Sequence, residues 1–494
     1  MRAALAARFV DALILLVARA HWRSSSRGIE EHQSAVTEGD IAAKAAPSQL
    51  SEQATQATYK DVFAIPEFRA LWSAQLTSVA GDQLARVALT VLVYARTASA
   101  LLAAVTFMVS VVPVFIGGVT LAGLADRFER RLVMIACDVL RCALVLLMAL
   151  PGVPLALLVV LLAVVTLISA PFTAARAAIY PDLLPGEKYV VGTAVTLTTN
   201  QFAQVLGFAA GGAVVALLGV RTSLVIDAAT FAVSAAIVRC FVRRRPVPVA
   251  RHAAAQGAEH VTGHGADMRA EPAGKHAAPA PASFAGATRM VFKTPAMLLP
   301  MLFGWLAAFY NAPEGVAAPL ASSLGGGAAQ VGAILAAQAF GETAGMLAFG
   351  RLVRPTTRLR VMGPLAIATC AVLILFALRP ALPVVLAILA VSGAFGAYQI
   401  AANAAFVSAV PGQWRARAFG LAQGGMSLGQ GTVMVVAGAA AEHWVPTTVV
   451  VVAGAIGAVC AAFVAASWNR SRKADAPGGL RQQAVRSGRI PRPT

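Results

Sequence analysis

Twelve apolar runs, each long enough to cross a bilayer as a helix of about 20 residues, decide what this chain can become. They lie at approximately 71–95, 100–122, 132–150, 155–178, 190–218 and 223–241, then 296–320, 328–350, 361–378, 384–409, 418–441 and 447–468. No soluble core absorbs so many unbroken apolar stretches. Only 13% of the 494 residues are charged and the mean hydropathy is +0.72, whereas a soluble chain carries roughly a quarter charged residues. The expectation is an all-α polytopic membrane protein with twelve transmembrane helices in two six-helix halves. The runs are called spans 1 to 12 below.

The formal net charge is +18, which in a soluble chain would raise nucleic acid as a partner. Its distribution argues otherwise. About 34 of the 40 lysines and arginines fall in the termini and in alternate loops, the asymmetry of the positive-inside rule. Arg96, Arg221 and Arg379 fall in the opposite loops, and Arg86, Arg141 and Arg176 within spans. No folded basic domain with groove-reading elements is present in the sequence. The pattern predicts a multi-pass protein of the cytoplasmic (inner) membrane, with both termini cytoplasmic, the lipid bilayer as its partner and no nucleic acid.

Cofactor chemistry finds little support. The five cysteines are isolated within apolar runs and give neither metal spacing nor a disulfide framework. Histidines 252, 260, 264 and 276 are too loosely spaced to form a ligand set. Gly274-Lys275 is followed by His276, so no phosphate-cradling loop exists. No cofactor, no metal and no enzymatic activity are expected. A non-transporting receptor, for which the charges inside the spans would be dispensable, is a further reading.

Residues 1–59 read as an N-terminal cytoplasmic extension. Phe9 to Ala18 is too short to span, and Ser24 to Ala57 is polar and expected to be disordered. Residues 60–245 form the first half and 291–468 the second. Between them, 246–290 is an Ala/Pro/His/Gly-rich cytoplasmic linker, and 469–494 is a basic tail. An internal repeat supports the division: Leu184-Pro-Gly-Glu-Lys-Tyr189 recurs as Val410-Pro-Gly-Gln-Trp-Arg415, and the same offset places Gln204 on Gln430 and Gly212 on Gly438.

Charges within spans are costly, so each calls for a reason. Asp82 and Arg86 in span 1 are four residues apart and share a helix face. They read either as a self-neutralised pair or as a protonatable carboxylate tuned by its arginine. Asp138 and Arg141 in span 3 read as part of a network locking the basic loop before that span. Arg176 either snorkels to the interface or faces a cavity and counters an acid. Asp227 reads as a satisfied carboxylate near the end of span 6. Glu314 sits beside a helix break in Asn311-Ala-Pro-Glu-Gly-Val316, and Glu342 falls near mid-membrane between Gly341 and Gly345. Asp82, Glu342 and Glu314 are the proton-coupling candidates. Asn200, Gln204, Asn311, Gln399, Asn403 and Gln430 fall at middle depths, where they either bridge helices or line a cavity.

The loop between spans 2 and 3 carries Asp126-Arg127-x-x-Arg130-Arg131, which resembles the loop motif of the major facilitator superfamily of secondary transporters. The motif's leading glycine is Ala122 here, and its inner glycine is Glu129. Gly207-Phe-Ala-Ala-Gly-Gly212 in span 5 resembles the superfamily's antiporter signature, with Phe208 where a proline follows the first glycine. Phe68-Arg-Ala-Leu-Trp72, Gly81-Asp82, Ala174-Ala-Arg176, Arg415-Ala-Arg-Ala-Phe-Gly420 and Gly424 to Gly431 are similar to the drug- and siderophore-exporter branch, which includes macrolide-efflux and enterobactin-exporter relatives. The resemblance implies a monomeric secondary transporter with Asp126, Arg127, Arg130 and Arg131 as its conformational-switch loop. It implies alternating access, proton antiport, and an amphipathic small-molecule substrate. An importer or facilitator of a small metabolite fits the same fold.

Overall fold

The computed structural model describes residues 58–121, 123–245 and 284–475. The N-terminal extension, nearly all of the linker with its histidines, and the end of the basic tail lie outside the described residues. Among the described residues the secondary structure is entirely helical. Nine helices among the described residues are long and apolar enough to cross a membrane. One of them, Glu187–Phe241, is spans 5 and 6 run together, with Gly219 at φ 79° marking the bend between them. Arg130–Met148, which carries four charges, and the glycine-rich Arg415–Ala440 complete the twelve.

The remaining spans are Pro66–Thr97, Ala100–Val109 with Val112–Thr120, Leu155–Leu183, Ala328–Leu352, Pro355–Ala371 continued as a tight turn to Leu378, and Pro446–Asp475. Two spans of the second half are broken. Span 7 runs as Pro295–Trp305, Ala307–Tyr310, Ala312–Gly315 and Ala317–Ser323. Pro313 and Pro319 lack the N–H that would continue the ladder, so the helix is interrupted on both sides of Glu314. Span 10 runs as Leu382–Phe395 and Tyr398–Ala409, interrupted at Gly396 and Ala397.

Small residues decide how the halves meet. Gly212 of span 5 lies against Gly332 of span 8, so closely that a Cβ on Gly332 would sit 2.6 Å from the Gly212 Cα. Gly438 of span 11 lies in the same way against Ala100 and Ala104 of span 2. The two glycines that the internal repeat aligns therefore make equivalent contacts across the halves, spans 5 and 8 on one side and spans 2 and 11 on the other.

These contacts lie at the end of the molecule opposite the basic loops, here called the far face. Packing at the basic face differs. One apolar cluster joins both halves, including Leu84, Phe107 and Phe208 from the first and Phe303, Leu335 and Tyr398 from the second. At the basic face each half closes its own cluster: Phe68, Trp72, Met134 and Tyr180 in the first, Val291, Met301, Phe406 and Ala418 in the second. The halves are sealed to one another at the far face and pack independently at the basic face.

Candidate functional site

The first half holds its charges in one network around Arg141, which is 2% exposed. Its Nη2 donates to Asp82 Oδ1 at 2.5 Å and its Nη1 to Ser78 Oγ at 3.2 Å. Nη1 also lies 3.8 Å from Asp138 Oδ1, and the guanidinium rests on the Phe231 ring, 4.0 Å from its centroid. Asp138, fully buried, accepts a 2.6 Å hydrogen bond from Ser234 Oγ in span 6. Two expectations are corrected here. Asp82 bonds Arg141 of span 3, while its own-helix neighbour Arg86 acts on it electrostatically without a hydrogen bond. The Asp138–Arg141 pair joins spans 1, 3 and 6 in the interior, and among the described side chains it makes no bond to the basic loop.

Asp227 is corrected as well. It is 1% exposed and lines an interior cavity with Asp82, Arg86, Ser110, Arg141 and Ser169. Gly81 makes this possible, because any side chain there would collide with Asp227 and Thr230. The cavity has a volume of about 60 Å³, room for a few water molecules among polar partners. It lies within the first half, between spans 1, 2, 3, 4 and 6.

Arg86 turns the other way. Its Nη2 donates to Ser110 O, the carbonyl at the break in span 2, at 3.3 Å, and its guanidinium lies 5.6 Å from the Phe107 ring centroid. It also interacts electrostatically with Asp82, one turn before it, and with Glu314 of the second half. Arg176 fits neither expectation. It is 7% exposed, so it does not snorkel, and its Nε and Nη1 have no hydrogen-bond partner; its neighbour is the Tyr180 ring at 5.9 Å.

In the second half, among the described residues, Glu314 and Glu342 have no guanidinium bonded to them. Glu314 and Glu342 are half-buried and act on each other electrostatically. Around them the breaks in spans 7 and 10 are stitched together. Tyr398 donates from its hydroxyl to Phe303 O at 3.0 Å, and Gln399 Nε2 donates to Gly304 O at 3.1 Å and to the Tyr310 hydroxyl at 3.3 Å. Gln338 Nε2 lies 3.4 Å from Asn311 Oδ1. Gly341 and Gly345 bring span 8 directly onto Ala390 and Ala394 of span 10, leaving Glu342 between two contact points.

The polar candidates divide. Asn311 and Gln399 belong to this stitched region. Asn200 accepts from Gln75 Nε2 at 3.5 Å, bridging spans 1 and 5. Gln204 and Gln430 are half-buried, and Asn403 is exposed. None of the six lines the cavity of the first half. Sequence reasoning passed over Ser78, Ser234, Tyr310 and Tyr398. Ser234 lies seven residues from Asp227, two helical turns along one face, which is the one sequence signal that could have drawn it in.

At the basic face, Arg130 Nη1 donates to Ala178 O at 2.6 Å and pairs with Asp182 at 3.0 Å, while Arg131 Nη2 donates to Arg239 O. The loop is thus tied to the ends of spans 4 and 6. Arg127 is exposed. Asp126 lies in the short helix Leu124–Arg127, and its side chain lies outside the described residues. Glu67 joins the two ends of this half, pairing with Arg245 at 2.6 Å and accepting from the Arg243 N–H.

Two six-span bundles meeting over a charged interior, sealed at one face and separately packed at the other, define a membrane-transporter scaffold. The family model of the Major Facilitator Superfamily matches residues 71–314 and 310–490, and the chain belongs to that superfamily. Among solved structures it is similar to a bacterial homolog of the human lysosomal transporter Spinster in an inward-facing, unoccupied conformation (TM-score 0.55, 16% identity, 82% of this chain and 96% of that one). It is also similar to a POT family transporter in complex with 5-aminolevulinic acid (0.61, 12%, 83% and 99%) and to the nucleoside transporter NupG (0.59, 16%, 81% and 99%). At these identities the likeness is one of fold. No curated protein matches the sequence.

Proposed function

We propose that this protein exports an amphipathic small organic molecule across the cytoplasmic membrane by alternating access, in exchange for protons. The observation that carries the coupling is a charge imbalance. Asp82, Asp138, Asp227, Glu314 and Glu342 lie in the interior of the spans against Arg86, Arg141 and Arg176, Arg239 being exposed at the basic end of span 6. Two carboxylates thus lack a compensating charge in a medium that penalises isolated ions, and monovalent cations must balance them. Protons do so without a built coordination shell.

Within this reading Glu342 and Glu314 carry the exchanged proton, because they are half-buried and, among the described residues, have no guanidinium bonded to them, Arg86 acting on Glu314 without a hydrogen bond. Asp82 serves as the relay between the cavity of the first half and Arg141. The uncharged polar groups around Asn311, Gln399 and Gln338 would meet the substrate. The Asp126 to Arg131 loop sets the rate of switching, supported by its ties to spans 4 and 6; Asp126→Asn should slow turnover and leave equilibrium affinity unchanged. The cytoplasmic placement of the basic face follows from the positive-inside rule, and the direction of transport from the resemblance to the exporter branch.

The test is accumulation of lipophilic antibiotics and dyes in cells lacking their own pumps, with and without a protonophore. Lower accumulation that is abolished by the protonophore and by Glu342→Gln is expected. Raised accumulation of any compound would reverse the direction and make the protein an importer. No change for any compound, despite good membrane expression, would remove amphipathic drugs as substrates.

A further inference from the structure

The far face is sealed by more than glycine contacts. Glu442 follows span 11 and belongs to the second half, yet its carboxylate lies on the start of span 2. Glu442 Oε1 accepts from Ser99 Oγ at 2.6 Å and from the Leu101 N–H at 2.8 Å. Ser99 is the residue before span 2, and its own Oγ accepts from the Leu102 N–H. The turn presenting it has Ala98 in the left-handed region, φ 51°. The first N–H groups of a helix have no partner within it and favour a negative charge. Here that charge is supplied by the opposite half. The contact therefore exists only while the halves meet at this face, and separating them both ionically and sterically uncovers the start of span 2.

We propose that Glu442 is a positioning residue for the transport cycle: a latch that biases the far face shut by capping span 2 from the other half. It acts at the edge of the Gly438–Ala100 contact, so it holds the seam between spans 2 and 11, while Gly212 and Gly332 hold the seam between spans 5 and 8 by close approach alone. The proposal rests on the alternating-access reading and needs no assumption about substrate or direction.

The latch carries a pH signature. The Ser99 hydroxyl, and after it the Leu101 N–H, hold the Glu442 carboxyl below its usual range. A carboxyl held down in the latched state stabilises that state fully above its ordinary value of about 4.5 and loses the contribution as pH falls through the latched value. His443 is the titratable side chain that acts on it from its own turn, and Arg96, three residues before Ser99, is engaged with Val153 O. Span 11 and the start of span 12 bring no charge to it.

The experiment uses the full chain with its five cysteines replaced, reconstituted in lipid, and spin labels at Leu150→Cys and Leu378→Cys. Both positions are exposed at the far face, one in each half. Electron–electron distance distributions then report whether that face is open. In the parent the short distance should dominate at pH 7.5, and a long-distance population should grow below about pH 4.5. Glu442→Ala should raise the long-distance population at pH 7.5 about threefold to tenfold, with Ser99→Ala giving a smaller rise. Glu442→Gln keeps an acceptor and should fall between them, and both Glu442 variants should lose the acid response. His443→Gln should retain it. Gly332→Val forces the backbones apart and serves as the open reference. If Gly332→Val opens the face and Glu442→Ala does not, the latch is wrong. If the acid response follows His443, it is also wrong. A single distance in every variant, Gly332→Val included, would remove alternating access itself and the latch with it.

Discussion

The two halves share one architecture and treat buried charge in opposite ways. In the first half Arg141 gathers Asp82 and Asp138, and Ser234 and Ser78 complete the set, so that one buried cation ties two acids across spans 1, 3 and 6. In the second half Glu314 and Glu342 have no such centre, and the hydrogen bonds nearby run from neutral Tyr398, Gln399 and Gln338. A network centred on a bonded cation holds helices in place. Half-buried carboxylates without a bonded cation are free to exchange what balances them. The comparison assigns a mainly structural role to the first cluster, with Asp82 as its link to the cavity, and exchange to the second.

The sharpest way to break it is Arg141→Met. The substitution preserves much of the volume but strands both acids that Arg141 holds, the fully buried Asp138 and Asp82. Removing one member of a buried ion pair costs about 3–5 kcal/mol, a large fraction of a typical folding free energy of about 5–15 kcal/mol. The expected outcome is a severe loss of folded protein, measured by thermal unfolding in detergent and by expression. A normal melting temperature would mean that the network is not structural. Asp138→Asn combined with Arg141→Met should recover part of the loss, since it removes the stranded charge.

This network also marks where sequence legibility ended. The spans were readable because length and apolarity alone identify them, and the break around Glu314 was readable because Pro313 and Pro319 forbid the ladder. The repeat was readable, and it reappears as the paired contacts of Gly212 and Gly438. Partners of the buried charges were not. Spacing of four residues suggests Asp82 with Arg86, yet a neighbouring span offers Arg141 with better geometry, and no local pattern encodes which helix faces which. Asp227 was misplaced for a related reason: position along a span gives depth, whereas burial depends on Gly81 admitting span 6. Glu442 lay outside every span and so escaped any argument built on membrane cost.

Glu342→Gln tests the other side of the comparison. With no guanidinium bonded to it, the carboxylate contributes its desolvation cost and little attraction, so neutralising it should leave stability within about 1 kcal/mol of the parent. Uphill transport should nevertheless disappear, while exchange of substrate down its own gradient persists in proteoliposomes. Loss of stability comparable to that of Arg141→Met would show that both halves use their acids structurally and would dissolve the distinction.

The smallest expected effect concerns the neutral stitching itself. Gln399→Leu removes the bonds to Gly304 O and the Tyr310 hydroxyl. Two neutral hydrogen bonds are lost, but Gly304 O can turn to water or neighbouring donors at the broken segment. The net loss should be about 1–2 kcal/mol, read as a lowered unfolding temperature. Its influence on transport is the informative part. Tyr310 shares the electrostatic surroundings of Glu314 and Glu342, and its hydroxyl accepts from Gln399; without the amide that orients it, the hydroxyl can rotate and turn its O–H toward them. That should hold a carboxylate ionised and shift the pH dependence of transport toward acid, with the maximal rate less affected. An unchanged pH profile would mean that the stitching only braces the breaks in spans 7 and 10, and that exchange depends on the two carboxylates alone.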